Sequence, residues 1–329
     1  MTKLFRLPQR LKMRNISGYK ETMLFFLAIL IACNPDNKKA SQKMKAKFVR
    51  SQVLTGYPSG STISFYKDRL YLMGDDASSM IILDSGFTVM KTIQFFENDA
   101  GRIKKTEKAD IESSEWIVTN NKAQLWLFGS GSLSPQRDSA FKFDPETQKI
   151  ERVDLTSFYQ DLRNTGILEL NIEAAALVND VLLFGSRGNL TNPQNYLLPT
   201  SATDFLSAGA LRKILLNLPD GAGISGMSYL QKFDILLVTS SKESTATAYD
   251  DGEIGESNLA IIYNFSGKLS GPEIAPDDWI DLSTLHPYFT RQKIESICTL
   301  KAENGEVTAI LVSDDDKGIT RLFEIKLKI

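Results

Sequence analysis

A short apolar segment that ends in a small or polar residue occurs five times along the 329-residue chain. The copies are LYLMGD (70–75), LWLFGS (125–130), VLLFGS (181–186), ILLVTS (235–240) and AILVSD (309–314). Segments that are apolar on both faces are typical of strands buried inside a protein. The first residues of the copies lie 55, 56, 54 and 74 positions apart, which is long enough for a repeating unit of four strands.

A turn precedes each copy, and a short β-type segment precedes each turn. The turns are at 67–68, 120–121, 179–180, 231–232 and 304–305. The segments before them are 59–62, 110–113, 171–174, 226–228 and 293–296. Asn, Asp and Gly in such turns tolerate the left-handed backbone that tight hairpins require. Further strands follow the copies, for example at 80–83, 141–144 and 259–263. Repeated units of four antiparallel strands predict the blades of a β-propeller.

The last unit lacks a fourth strand, which would leave an unpaired sheet edge. Residues 48–54 belong to no other unit and can supply that strand. We therefore predict an all-β fold: a single β-propeller over residues 46–329, with five four-stranded antiparallel blades and a ring closed by an N-terminal strand. Six blades are the alternative, if residues 241–281 contain a degenerate unit.

The N-terminus has the pattern of an export signal. Six Lys and Arg residues within positions 1–20 precede an apolar run at 23–32 that is short for a bilayer span. The run ends in Leu30-Ile31-Ala32-Cys33, which resembles the lipobox of bacterial lipoproteins. This resemblance implies a lipoprotein signal peptide over residues 1–32, a lipid on Cys33 and a polar tether over residues 33–45.

We therefore expect an exported protein that is attached to the bacterial cell envelope through the lipid on Cys33. The outer membrane is the expected location, with the propeller facing the periplasm or the cell surface. A plain signal peptide or short anchor with an incidental Cys33 is the alternative, and Met13 is an alternative start.

Composition excludes several classes of function. The formal charge is −2, whereas nucleic-acid binding requires clustered Lys and Arg, so we expect no nucleic acid as partner. One histidine excludes a His-rich zinc centre and a His-based nucleophile triad. With Cys33 assigned to lipid, Cys298 remains alone and no disulfide framework forms. We expect a monomer.

Three glutamates recur in the segments before the turns. Glu112, Glu173 and Glu295 each follow an isoleucine, and the first strand of every propeller blade lines the central channel. Three carboxylates at one channel level repel one another and need a cation, an arginine or protonation. The sequence establishes no cofactor, and calcium is the ion that we expect if there is one. In the alternative arrangement, each glutamate accepts backbone N–H bonds from the neighbouring blade.

The loops after the apolar strands hold further candidate residues near the channel mouth. Arg187 can hold an anion or pair with the glutamates. Candidate metal ligands, which in the alternative view are only solvated turn residues, are Asp75, Asp76, Asp314 and Asp315. Further candidate ligand-binding residues are Ser130 and Ser240.

The segments DIESSEWI, NIEAAALVNDVLLFGSRGN, KIESICTL and LVSDDDKGITRLFEIKL resemble two propeller families and related bacterial lipoproteins. These families are named for the esterase-like activity of phytase and for quorum-regulator-controlled outer proteins. The families favour Glu-Gly where this chain has Glu112-Ser113, Glu173-Ala174 and Glu295-Ser296.

Two classes of function follow from the residues and the resemblance together. The favoured one is a membrane-anchored module that binds a glycan, a phosphoester or a partner envelope protein. The alternative, which the resemblance implies, is a cation-dependent phytase-like phosphoesterase or lactonase. Carboxylates alone make a weak case for catalysis, so binding is favoured.

The first prediction concerns the anchor. Cys33→Ser removes the only thiol that the signal pattern positions for acylation. The variant is expected to leave the membrane fraction and to lose incorporation of labelled palmitate, whereas Cys298→Ser keeps both properties. Membrane attachment of the Cys33→Ser protein would contradict the lipoprotein interpretation.

Overall fold

The computed structural model describes residues 44–97, 101–207, 211–248, 252–315 and 318–329. The predicted signal peptide, Cys33, most of the tether and Asp316 lie outside these residues. The described chain forms 21 strands in five sheets. These sheets are the five blades of a β-propeller, which confirms the predicted fold class.

The blades follow the chain in order. Blade 1 contains β2 (Gly60–Tyr66), β3 (Arg69–Gly74), β4 (Ser79–Leu83) and β5 (Val89–Gln94). Blade 2 contains β6 (Ile111–Thr119), β7 (Lys122–Gly129), β8 (Ser139–Phe143) and β9 (Ile150–Asp154). Blade 3 contains β10 (Ile172–Val178), β11 (Val181–Ser186), β12 (Asn195–Ser201) and β13 (Ile214–Leu216). Blade 4 contains β14 (Gly223–Leu230), β15 (Ile235–Glu243), β16 (Ile254–Tyr263) and β18 (Asp278–Asp281). Blade 5 contains β19 (Lys293–Glu303), β20 (Glu306–Asp314), β21 (Arg321–Lys328) and β1 (Lys45–Val53).

The long spacing before the last repeat does not come from a sixth blade. Described residues between 241 and 281 lengthen β15, form β16 and β18, and add β17 (Glu273–Ile274) to blade 3. Strand β17 pairs parallel to β13. The insertion therefore extends two existing blades, and the described residues contain five.

The repeated apolar strand is buried because its two faces contact different blades. In β3, Leu70 and Leu72 pack in the layer between blades 1 and 5, while Tyr71 and Met73 pack between blades 1 and 2. Five such layers of apolar side chains hold the ring together. The absence of polar alternation in this strand thus follows from its place between two neighbours.

Glycines in two of the repeats meet a steric requirement. A Cβ on Gly74 would lie 2.6 Å from the carbonyl oxygen of Pro58, and one on Gly129 would lie 2.7 Å from that of Ala109. In both blades the apolar strand passes close to the backbone that leads into the inner strand. Only glycine allows this approach without displacing the backbone.

The described helices are short and lie in the connections between strands. Helix α1 (Thr156–Asn164) packs Phe158, Tyr159 and Leu162 into the layer between blades 2 and 3, and α2 (Phe265–Lys268) follows β16. Among the described residues, no helix combines the length and the apolar character needed to cross a membrane.

The N-terminal strand closes the ring as predicted. Strand β1 pairs antiparallel with β21 along its length, from Lys45 opposite Lys328 to Val53 opposite Arg321. Met44, just before the predicted start at residue 46, is already buried, and its backbone N–H donates to Asp278 at 2.8 Å. Residues at both ends of the chain therefore share one blade.

Deleting residues 45–53 is expected to destabilise the protein strongly, because it removes one ladder and exposes the edge of β21. The loss should be on the order of several kcal/mol, against a total stability of roughly 5–15 kcal/mol. Deleting residues 34–42 instead should cost almost nothing. Chemical denaturation of both truncations checks this, and equal midpoints would contradict closure by β1.

Candidate functional site

The inner strand of every blade carries one β-bulge at the same position. In each blade the pairing with the second strand skips one residue near the start of the inner strand. The skipped residues are Ser61, Glu112, Glu173, Ser225 and Glu295. A bulge leaves its extra residue out of the ladder and redirects the side chain. The three predicted glutamates therefore occupy equivalent positions.

The central channel contains a small and highly charged cavity, here called the channel site, with a volume of about 80 Å³. Its carboxylates belong to Asp75, Asp110, Glu112, Glu173, Glu243, Glu295 and Asp314. Its cations belong to Lys105, Lys108, Arg137, Arg187 and Lys293. With every group ionised, the lining has a formal excess of two negative charges. The space holds only a few waters or one small group.

On the side of blades 3 to 5, charges alternate along a chain of ion pairs. Arg187 lies 3.9 Å from Glu173 and 3.3 Å from Glu243. Lys293 lies 3.2 Å from Glu243 and 3.1 Å from Glu295. Arg187 also donates to the hydroxyl and the carbonyl oxygen of Ser241. Of the two predicted roles for Arg187, the geometry therefore matches pairing with the glutamates.

On the side of blades 1 and 2, Lys108 lies between carboxylates. Its ammonium contacts Asp75 and lies 2.6 Å from Asp110, which also accepts a hydrogen bond from Arg137 at 2.5 Å. Carboxylate oxygens of Asp75, Asp110 and Glu112 all lie within 4.8 Å of one another, a spacing compatible with a metal ion. In this structure the Lys108 ammonium provides positive charge beside that triad.

Several oxygens in the channel site have no partner among the described residues. Oε2 of Glu295 and Oδ1 of Asp75 are buried without a hydrogen bond, and the partly exposed Glu112 side chain lines the same cavity. The Glu295 side chain is only 6% exposed. Burial of a carboxylate is costly unless the charge is paired, bonded or removed.

Their surroundings in the channel site raise the pKa values of Glu112, Glu173 and Glu295. Burial raises the pKa of Glu112 well above its ordinary range, and the negative charges of Glu173 and Asp110 raise it further. Burial also raises the pKa of Glu173, against the opposing effect of Arg187. Burial raises the pKa of Glu295 to about 8, although Lys293 opposes it. Protonation is therefore one route by which the glutamates coexist.

For Lys108 and Lys293, the charges of neighbouring carboxylates outweigh the effect of burial on the pKa. Burial alone would lower the pKa of Lys108, but the charges of Asp75 and Asp110 outweigh it and the pKa rises. The pKa of Lys293 also rises well above its ordinary value, because Glu295 and Glu243 outweigh its burial. Both amines stay protonated at neutral pH, so they act as fixed cations and not as bases or nucleophiles.

None of Glu112, Glu173 and Glu295 accepts a backbone N–H within the described part of the chain. A different glutamate fills that role: Glu115 accepts the N–H of Leu177, on the neighbouring blade, at 2.9 Å. Burial raises the pKa of Glu115 to about 7. The channel glutamates are therefore not the hydrogen-bond acceptors between blades that the alternative interpretation describes.

The structure separates the predicted site residues into two groups. The channel site is lined by Asp75, Glu112, Glu173, Arg187, Glu295 and Asp314. The other four lie elsewhere: Ser130 donates to Asp110 at 2.5 Å, Ser240 is fully buried, Asp76 pairs with Arg102, and Asp315 accepts the N–H of Ile319. Ser130, Asp76 and Asp315 bond neighbouring residues, the Ser240 hydroxyl has no hydrogen bond, and none of the four lines the channel site.

Sequence reasoning missed six charged residues of the channel site: Lys105, Lys108, Asp110, Arg137, Glu243 and Lys293. Asp110 and Lys293 each lie two positions before a channel glutamate, so the alternation of side chains along a strand could have indicated them. Lys108 and Arg137 lie outside the strands, and no repeated pattern marks them.

The fold and the channel site define a five-bladed β-propeller with a charged central channel. Residues 56–327 match the family of unknown function DUF6929, and the chain belongs to this family. No curated protein matches the sequence. The resemblance to the two named propeller families stays a prediction.

Solved structures with a similar fold have low sequence identity. Glutaminyl cyclase from Myxococcus xanthus is 11% identical, with 86% of this chain and 96% of that chain covered and a TM-score of 0.47. The tail fibre of Staphylococcus aureus phage P68 is 11% identical, with 87% and 53% covered and a TM-score of 0.45. A streptogramin B lyase is 13% identical, with 85% and 97% covered and a TM-score of 0.39. These likenesses carry no argument about activity.

The raised pKa of Glu295 predicts a pH-dependent stability. The folded state holds a proton on Glu295 that the unfolded chain, with a pKa near 4.5, releases. The stabilisation is complete below about pH 4.5 and is lost as the pH rises through about 8. Glu295→Gln should therefore lose less stability than wild type between pH 5 and 9, by on the order of a few kcal/mol.

Glu303→Gln is the matched control, because Glu303 lies on the same strand with an exposed side chain paired to Lys301. Its melting temperature should follow that of wild type across the whole pH range. Parallel curves for wild type and Glu295→Gln would show that Glu295 does not hold the extra proton.

Proposed function

We propose that the protein is a lipid-anchored β-propeller of the bacterial envelope whose channel binds a small, positively charged ligand. The single observation that carries this proposal is Oε2 of Glu295, which is buried without a hydrogen bond in the same cavity that the Glu112 carboxylate lines. The anchor and the location are supported by the sequence of residues 1–33 alone.

Electrostatics favour a cationic ligand. A positive group near Glu112 would relieve the repulsion from Glu173, Asp110, Asp75 and Glu295, which all act to raise the Glu112 pKa. Interactions between charges are stronger in a buried site than in water. The ligand would supply the hydrogen bonds or coordination that the protein leaves unmade at these oxygens.

The same charges disfavour an anionic substrate. A phosphoester would add negative charge to a lining in which, among the described residues, seven carboxyl groups face five cations. Arg187, the residue predicted to hold an anion, is buried and donates to Ser241 and Glu243. The geometry therefore supports binding of a cation better than phosphoester hydrolysis. A glycan or partner protein would contact the rim, because the cavity holds only a small group.

The test is a thermal-shift and calorimetric titration of purified protein with CaCl₂, MgCl₂ and methylammonium chloride at constant ionic strength. At least one of these cations should bind, and at about 100 times its Kd it should stabilise the protein by about 2.7 kcal/mol. Glu112→Gln should weaken that binding at least tenfold, and Glu303→Gln should leave it unchanged. Absence of binding by all three cations would contradict the proposal.

A further inference from the structure

We propose that the channel site is built for a primary ammonium group and not for a metal ion, with Lys108 acting as a permanent internal cation. This inference rests on the proposed function, since it names the class of cation that the channel binds. It follows from the position of Lys108, from the oxygens that remain free, and from the second lysine of the channel.

Lys108 lies beside the only described cluster of acidic residues with metal-like spacing. The carboxylates of Asp75, Asp110 and Glu112 are close enough to hold one ion, but the Lys108 ammonium contacts two of the three. A divalent cation at that point would lie next to a fixed positive charge, which repels it strongly in a buried site. Lys108 must move away before a metal can bind there.

The carboxylate oxygens that are not bonded to Lys108, Lys293 or Arg137 suit the N–H donors of a primary ammonium. Oε2 of Glu295 and Oδ1 of Asp75 have no hydrogen bond, and the Glu112 carboxylate lines the same cavity. A primary ammonium has three N–H donors and needs about three acceptors. Calcium takes six to eight oxygens, and magnesium requires near-ideal octahedral geometry. The carboxylate oxygens already bonded to Lys108, Lys293 and Arg137 are not free to complete such a shell.

The second lysine shows that the channel already uses this arrangement. The Lys293 ammonium lies 3.1 Å from Glu295 and 3.2 Å from Glu243, and its side chain is largely buried. Glu295 is more than nine-tenths buried and lines the channel site, and its other oxygen has no partner. A ligand ammonium between Glu295 and Glu112 would repeat the environment that Lys293 has.

The experiment compares methylammonium, tetramethylammonium and calcium chlorides as probes of wild-type protein by calorimetry at equal ionic strength. Methylammonium should bind at least tenfold more tightly than tetramethylammonium, which has the charge but no N–H donor. Calcium should not bind. Stoichiometric calcium binding by wild type, without methylammonium binding, would overturn this inference and leave the proposed cation-binding function standing. Binding of none of the probes would overturn both.

A variant tests the role of Lys108. Lys108→Met should acquire calcium binding that wild type lacks, because it removes the ammonium from Asp75 and from Oδ1 of Asp110 in the triad with Glu112. Lys301→Met, which removes an exposed lysine paired to Glu303, is the control and should gain none. A folded Lys108→Met protein that still does not bind calcium would overturn the role of Lys108. If that variant does not fold, the comparison of ligands on wild type still decides.

Discussion

One extra residue in each inner strand is the constraint on which the channel depends. A regular inner strand would send its alternate side chains into the two neighbouring layers between blades, where charged groups cannot be accommodated. The bulge removes Glu112, Glu173 and Glu295 from that alternation, and strand pairing continues on either side of it. The five apolar layers can therefore be continuous while the axis is polar.

Concentrating carboxylates on the axis creates an electrostatic cost, and the chain offsets most of it with its own cations. Lys108 and Lys293 each lie between two carboxylates, and Arg187 pairs with Glu243. Burial, together with the negative charges of Glu173 and Asp110, raises the pKa of Glu112, which lines the proposed ligand site. Side chains therefore supply part of the positive charge expected from the sequence. Calcium stays a prediction, and an organic cation is the proposal.

Ring closure links the two ends of the chain. Strand β1 completes blade 5 and buries the edge of β21, and Arg50 adds an ion pair to Glu324 at 2.7 Å and lies over the ring of Phe87 in blade 1. The proposed lipid on Cys33 would precede this strand by a short tether.

The sequence by itself indicated the blades and the closing strand and favoured five blades over six, because apolar strands and turn residues at a regular spacing are local patterns. The structure decided that there are five. The sequence also placed Glu112, Glu173 and Glu295 at equivalent positions, since they recur within the repeat. Only the tertiary structure decided which cationic side chains lie beside these glutamates. Lys108 and Arg137 reach the channel from loops outside the repeat, whereas Ser130 and Ser240 do not line it. Loop paths depend on contacts between distant residues, whereas strand patterns depend on neighbours along the chain, so the fold was predictable and the charge balance of the channel was not.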